Sequence, residues 1–295
     1  MEKIIYALGF FDGVHIGHRA LLSECHALAK QHGCKAGVVT FATHPDGLVQ
    51  GKMPGLINAP ADRKMLLEQY HMDAVLELPF DRRMMEMSWE DFLRMLTDQY
   101  HAAGFVCGSD FRFGCKGAGT AEILQDYCRR AGIPCGIVPE QKLEGVTVSS
   151  THIRTLLEDG KMAEAVRFLG HAHVLSGEVV SGKQLGRTIG IPTANLALPE
   201  GVVCPKFVVY ACKAIVDGQE YPAVTNIGTR PTVNGENVTI ETHLLDFEGD
   251  LYGKRMTLCF CEFLRPEQKF GSLAQLQAEI QKNVQQTRNF FEESE

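Results

Sequence analysis

Gly9-Phe10-Phe11-Asp12-Gly13-Val14-His15-Ile16-Gly17-His18 stands between a short apolar run, residues 3–8, and an amphipathic stretch, residues 19–31. In that stretch Leu21, Leu22, Cys25, Leu28 and Ala29 fall on one face of a 3.6-residue period, which predicts a helix. The order is therefore strand, glycine-rich turn, helix. Gly9 and Gly13 permit a tight backbone, and Gly17 sits in the first helical turn, where free N–H groups and the helix dipole favour phosphate. His15 and His18 are able to donate to phosphate oxygens in the right protonation state. A bare His-x-x-His also suits surface or capping residues, or a zinc site needing about two more ligands, none of which is obvious at a suitable spacing. Its place after a strand and at a helix start favours a nucleotide loop.

The same rhythm continues outward. Residues 35–41, 73–78, 104–107 and 133–138 read as strands, and residues 62–70, 88–100 and 120–131 as helices. Ser88-Trp89-Glu90-Asp91 has the form of an N-cap with an acidic third residue, and Gly132 closes the helix before it. Five strands separated by helices predict a parallel sheet covered on both faces, with ligands beyond the strand C-terminal ends.

Past about residue 170 helical periodicity nearly vanishes. Residues 174–180, 208–216, 220–226, 238–245 and 256–263 are β-rich, and Asp217-Gly218 and Asn234-Gly235 are hairpin signals. This predicts an antiparallel barrel or sandwich closed by a helix over residues 272–284, with a linking helix over 161–169. Two domains are expected, residues 1–165 and 170–295.

The 295 residues carry a net charge of −7, with 45% hydrophobic and 22% charged residues. A general nucleic-acid binder would carry a basic face, and no long basic run exists, so no nucleic-acid partner is expected. No run of about 20 apolar residues spans a membrane, and the start lacks the pattern of a secretory signal. The 10 cysteines are scattered without a C-x-x-C pair, which fits reduced thiols in a cytoplasmic protein.

Three further stretches carry chemistry. In Val148-Ser149-Ser150-Thr151-His152-Ile153-Arg154 two hydroxyls and a guanidinium suit phosphate, although an N-cap followed by a helix has the same look. Phe111 and Phe113 alternate onto one face of an extended segment, as core residues or as a platform for an aromatic ring. The glycine-rich run from Gly182 through Gly186 and Arg187 to Pro192-Thr193-Ala194-Asn195 lets backbone N–H groups approach phosphates, but lacks the ending of a Walker loop. Thr193 and Asn195 offer the oxygens that Mg²⁺ prefers. The bland alternatives are a long surface turn and, for Glu241, a solvated strand residue.

Together these segments resemble the bifunctional riboflavin kinase/FMN adenylyltransferase family of bacteria. The loop of residues 9–18, Thr40-Phe41-Ala42-Thr43-His44-Pro45, Leu78-Pro79-Phe80-Asp81, Gly108-Ser109-Asp110-Phe111-Arg112-Phe113-Gly114 and the Ser150–Arg154 motif resemble its adenylyltransferase half. The Gly182–Asn195 run, Asn226-Ile227-Gly228-Thr229-Arg230-Pro231-Thr232, Glu241-Thr242-His243, Asp250-Leu251-Tyr252-Gly253 and Phe263-Leu264-Arg265 resemble its kinase half. The resemblance covers nearly the whole chain. It implies an α/β Rossmann-like nucleotidyltransferase domain followed by a small all-β Greek-key barrel with a terminal helix.

It also implies two steps, riboflavin to FMN and FMN to FAD, each using ATP with Mg²⁺. His15, His18 and Arg154 would stabilise charge in the second step, and Gly9, Phe10, Asp12, Gly17, Ser150 and Thr151 would hold its ATP. Glu241 would be the base of the first step, with Gly182, Gly186, Arg187, Thr193 and Asn195 around the nucleotide and Thr193 and Asn195 at the metal. His44, Asp110, Phe111, Phe113, Arg230 and Arg265 would meet flavin. The expected protein works as a monomer or weak homo-oligomer.

The chain departs from the family pattern at Phe10, where many members carry asparagine, at Thr43, where a proline is common, and at Leu185, where arginine is frequent. The usual extension before the first strand is missing. The alternative is a kinase with a weak or inactive adenylyltransferase half. A non-catalytic flavin carrier and a tRNA-charging enzyme, which shares His-Ile-Gly-His, are further readings. The last is disfavoured by the acidic charge, the short length and the lack of a Lys-Met-Ser-Lys-Ser-type loop.

Overall fold

The computed structural model describes residues 2–181, 186, 190–232 and 235–293, apart from the side chains of 230–232 and 235–237. Two compact units emerge, one from Met1–Gly55 and Arg63–Ser150, the other from Leu56–Asp62 and Thr151–Glu295.

In the first unit β1 (Ile4–Leu8), β2 (Lys35–Phe41), β3 (Ala74–Leu78), β4 (Ala102–Gly108) and, after a ribbon of β5 (Arg112–Phe113) and β6 (Gly119–Thr120), β7 (Cys135–Val138) appear in chain order. The long strands form one parallel sheet in the order β3-β2-β1-β4-β7. The order reverses beside β1, so the crevice for a ligand opens beyond the C-terminal ends of β1 and β4. A second ribbon, β8 (Lys142–Leu143) and β9 (Val146–Thr147), follows.

Apolar periodicity and caps explain the helices: α1 (Ile16–His32), α2 (Pro45–Val49), α3 (Pro60–Gln69), α4 (Arg82–Glu86), α5 (Trp89–Tyr100) and α6 (Ala121–Ala131). Ser88 accepts the Asp91 amide at 3.0 Å to start α5, and Gly132, at φ 65°, ends α6. α1 begins at Ile16, three residues before the predicted span, because His15 acts as its cap. Phe92, Leu93 and Leu96 of α5 and Leu124 of α6 bury against Tyr6, Leu8 and Phe105 of the sheet. Each fully buried leucine contributes about 2 kcal/mol.

The second unit holds most of α7 (Ser150–Asp159), α8 (Met162–Leu169), six strands and α9 (Leu273–Glu292). The strands are β10 (His173–Val180), β11 (Ala194–Leu196), β12 (Val208–Val216), β13 (Gln219–Thr232), β14 (Gly235–Leu244) and β15 (Arg255–Pro266). They close an antiparallel barrel in the order β10-β11-β14-β13-β12-β15. Because β15 returns beside β12, the strands β12 to β15 form a Greek key. Asp217 and Gly218 both take positive φ, the geometry of the predicted hairpin; Asn234 of the other turn lies outside the described residues.

Several features differ from the sequence expectation. β11 is a three-residue strand inside the glycine-rich run, too short to announce itself by alternation. β13 and α9 outrun their predicted spans, since the hairpin ladder continues to Thr232 and the helix to Glu292.

Residues 56–62 pack with the barrel. Leu56 bridges Val202, donating to the Gly201 carbonyl at 2.8 Å and accepting from the Val203 amide at 2.8 Å. Asn58 donates to the Val174 carbonyl at 2.9 Å. Buried Asp62 accepts the Ser176 amide at 3.0 Å and the Arg255 guanidinium at 3.2 Å.

Candidate active sites

The turn after β1 is held in an unusual backbone. Phe11 has φ 60°, Gly13 φ 84° and Val14 φ 40°. A left-handed conformation is costly for the β-branched Val14, so the surrounding contacts must impose it. They are present: Thr40 donates to the Phe10 carbonyl at 2.9 Å, the Gly9 amide to Val39 at 3.2 Å, and the Ser150 hydroxyl to the Asp12 carbonyl at 2.9 Å.

This turn delivers two histidines to the start of α1. His15 Nδ1 accepts the His18 amide at 3.2 Å, and the two rings stack with centroids 3.6 Å apart. The bond leaves Nε2 as the proton-bearing nitrogen of a neutral His15. A side chain at Gly17 would stand 3.1 Å from the His15 ring, close enough that the ring would have to shift by a few tenths of an ångström. His18 Nδ1 is buried without a hydrogen-bond partner. Burial, then the charges of His15 and Arg63, hold the His18 pKa well below its ordinary value, which keeps the ring neutral.

The loop lines a cavity of about 460 Å³ at the sheet's switch point. Gly9, Phe10, His15, Gly17, His18 and Ser150 line it, and His44, Asp110, Phe111 and Arg112 stand among the other lining residues. His44 caps α2 through Nδ1, accepting the Asp46 amide at 3.2 Å, and meets the Phe10 ring edge-on at 4.5 Å.

In the barrel the register builds the second site. Side chains alternate across each strand, so direct partners share a face. Asn195 of β11 faces Glu241 of β14, which faces Asn226 of β13; Asn226 faces Val209 of β12, and Val209 faces Arg265 of β15. Their neighbours Thr225 and Thr242 point into the barrel and bond each other at 3.0 Å, which places the row on the outer face.

A cavity of about 210 Å³ opens over this row, covered by Leu276, Ile280 and Asn283 of α9. Arg265 is fixed there by Nε donation to Asn283 at 3.0 Å. Thr193 lines this cavity and also an adjacent one of about 350 Å³ bordered by Phe247, Asp250 and Tyr252. His243 Nδ1 lies 2.9 Å from the Pro192 carbonyl, tying that end of the glycine-rich run to β14.

Comparison with known proteins follows this division. The FAD synthetase family model matches residues 1–152, and the riboflavin kinase model matches residues 169–291. A bifunctional riboflavin kinase/FMN adenylyltransferase of Escherichia coli (strain K12) is 37% identical, covering 98% of this chain and 93% of the relative. One from Listeria monocytogenes is 33% identical, covering 97% and 92%. The chain belongs to the bifunctional riboflavin kinase/FMN adenylyltransferase family. A crystal structure of a Streptococcus pneumoniae protein described as a macrolide-efflux protein superposes with TM-score 0.88 at 30% identity, over 98% of this chain and 94% of that one. No helix among the described residues is long and apolar enough to cross a membrane.

Set against the residues that family resemblance suggested, the structure sorts them. Gly9, Phe10, His15, Gly17, His18, His44, Asp110, Phe111 and Ser150 share the first cavity. Asp12 is buried in the loop backbone beside it. Phe113 is not among the lining residues: it is 7% exposed and stacks behind Phe111 at 5.6 Å, in the core against Phe92. Thr151 and Arg154 fall past Ser150, in the second unit. Gly186, Thr193, Glu241 and Arg265 line the barrel cavity, and Asn195 adjoins it in register. Gly182, Arg187 and the Arg230 side chain lie outside the described residues.

Sequence reasoning missed Asn226, His243 and Asn283 in the barrel, and Arg63 behind the histidine loop. For Asn226 the signal was present, since it opens a quoted family segment. Among the described residues, no group of three or more His, Cys, Asp or Glu side chains comes together to hold a metal ion, and all ten cysteines are free.

Proposed function

We propose that this chain makes FMN and then FAD, with kinase chemistry in residues 170–295 and adenylyl transfer in residues 1–165. The observation that carries the reading is the cross-strand row Asn195–Glu241–Asn226 beside a cavity, paired with the stacked histidines at a Rossmann-like switch point.

In the kinase step Glu241 takes the proton of the ribityl 5′-hydroxyl while its oxygen attacks the γ-phosphorus of ATP, and ADP leaves. Thr193 borders both barrel cavities, which supports a role for it in passing a phosphoryl group between nucleotide and flavin. Thr193 and Asn195 would hold Mg²⁺ with the phosphates; their neutral oxygens fit a hard cation that arrives with ATP. Gly186 and Arg265 line the same cavity, and by the family resemblance Gly182 and Arg187 would serve the nucleotide with Gly186, and Arg230 the flavin with Arg265.

In the adenylyl step an FMN phosphate oxygen attacks the α-phosphorus of a second ATP, and pyrophosphate leaves. That oxygen is already anionic, so no strong base is needed. His15, His18 and Arg154 stabilise the developing charge, with Gly9, Phe10, Asp12, Gly17, Ser150 and Thr151 around the nucleotide. His44, Asp110 and Phe111 receive the flavin, and Phe113 backs Phe111. The protein acts in the cytoplasm as a monomer or weak homo-oligomer, without nucleic acid, in keeping with its net charge of −7.

Incubation with riboflavin and Mg-ATP, followed by separation of the flavins, tests this. FMN followed by FAD is expected; FMN alone would refute the adenylyl assignment.

A further inference from the structure

Arg63 is 1% exposed, yet it is a charged residue in the first turns of α3. Its Nη2 donates to the Phe41 carbonyl at 2.6 Å and to Glu77 of β3 at 3.1 Å. Its guanidinium lies over the ring of Phe10, 4.3 Å from the centroid. Nη1 is buried with no hydrogen-bond partner. The other charged or titratable groups that feel it are Asp12 of the loop and His18 of α1.

Burying an arginine is costly unless it is fully paired. Here a single carboxylate, itself 37% exposed, contacts it, and one nitrogen stays unpaired. The positive charge is therefore incompletely neutralised, and in a water-poor setting its field reaches farther than it would at the surface. That field falls on the loop that carries His15 and His18. Neutral His18 supplies no charge of its own, so a permanent cation behind the loop takes that part. Phe10 is the surface through which Arg63 grips the loop: one contact is with the guanidinium, the other with His44.

We propose that Arg63 is a positioning residue for adenylyl transfer: a buried, fixed cation that clamps Phe10 and supplies positive potential to the phosphate side of the histidine cavity. This rests on the adenylyl-transfer reading of that cavity.

The test compares Arg63→Met with Arg63→Lys in the full-length chain. With FMN and Mg-ATP, Arg63→Met is expected to raise the KM for Mg-ATP by about tenfold or more, while riboflavin phosphorylation by the same molecules is unchanged. Lysine restores the charge but not the planar fork or the flat stacking, and is expected to recover KM to within about threefold of the parent. Equal losses in the two variants, or no loss in Arg63→Met, would overturn the proposal. If Arg63→Met does not fold in the first unit, Arg63→Met/Glu77→Gln, which strands no carboxylate, carries the same comparison. Equilibrium binding of Mg-ATP to the parent and both variants gives a readout independent of turnover. A parent chain that forms no FAD would refute the reading of the cavity, whereas weakened binding in Arg63→Met and its recovery in Arg63→Lys would still decide the role of the charge.

Discussion

His15 and His18 lie ring on ring, 12° from parallel, with His15 Nδ1 committed to the His18 amide at 3.2 Å. Two imidazoles so close do not both take up a proton readily, so the pair meets phosphate through directed hydrogen bonds rather than paired charges. Replacing His18 with alanine is expected to lower FAD formation by about 10²–10³-fold and to leave FMN formation intact. Glu241→Ala is expected to do the reverse when FMN is supplied. Separated flavin products read both, and equal impairment of the two steps by either change would contradict the two-site assignment.

Gly17→Ala sets stability against activity. Alanine favours a helix interior over glycine by about 1 kcal/mol, which sets the scale against which the contact with the buried His15 ring is weighed. The new methyl group, 3.1 Å from the His15 ring, must displace that ring. FAD formation should fall by about tenfold or more, since small misplacements of catalytic groups are costly. An active Gly17→Ala protein would show that the stack is dispensable.

Asn226 sits directly beside Glu241 in the cross-strand row and lines the same cavity. Asn226→Ala is expected to reduce riboflavin phosphorylation by about tenfold, with FAD formation from supplied FMN unaffected. Steady-state assays of the two half-reactions on one preparation provide the check.

His173 is wholly buried in β10, with neither ring nitrogen hydrogen-bonded, 5.7 Å from the Phe260 ring. Burial, with a smaller contribution from His171, lowers its pKa from 6.5 to about 3. The unfolded chain takes up a proton that the folded barrel refuses, so stability is lost as pH falls below about 6.5 and goes on falling towards 3. Within that window the loss approaches about 1.4 kcal/mol per pH unit from this residue. Urea unfolding at pH 7 and pH 5 should show a smaller difference for His173→Phe than for the parent.

Asp62→Ala should destabilise the barrel unit by about 1–3 kcal/mol, mainly by stranding the buried Ser176 amide. The Arg255 partner is 61% exposed and should contribute little. Denaturant unfolding followed through the second unit would measure it; an unchanged midpoint would deny the 56–62 segment its structural part.

The sheet and its helices were legible because Ser88, Thr120 and Gly132 punctuate strongly periodic stretches, and because the parallel strands are short continuous apolar runs. The histidine turn was legible for the same reason. Arg63 was not: a cation next to Lys64 in the first turn of a helix reads as a solvated face, and only the carbonyl of Phe41 and the carboxylate of Glu77 explain its burial. β11 was hidden inside glycine-rich sequence. The row through Asn226 depended on register, which no local pattern in β13 or β14 reveals. Phe111 and Phe113 do share a face, as alternation predicts, but they stack one behind the other, so that Phe111 reaches the cavity and Phe113 packs on Phe92.

The strip of residues 56–62 also bears on how the protein is born. Asn58 precedes its partner Val174 by 116 residues, and Asp62 precedes Arg255 by 193. At a translation speed of roughly 5–20 residues per second, Asp62 emerges about ten seconds or more before the arginine that meets it. Until then Leu56, Asn58 and Asp62 wait on the nascent chain with no barrel to join. The second unit thus acquires these contacts only once β15 has been made, and a ribosome that stalls before β15 leaves that early strip without its last partner.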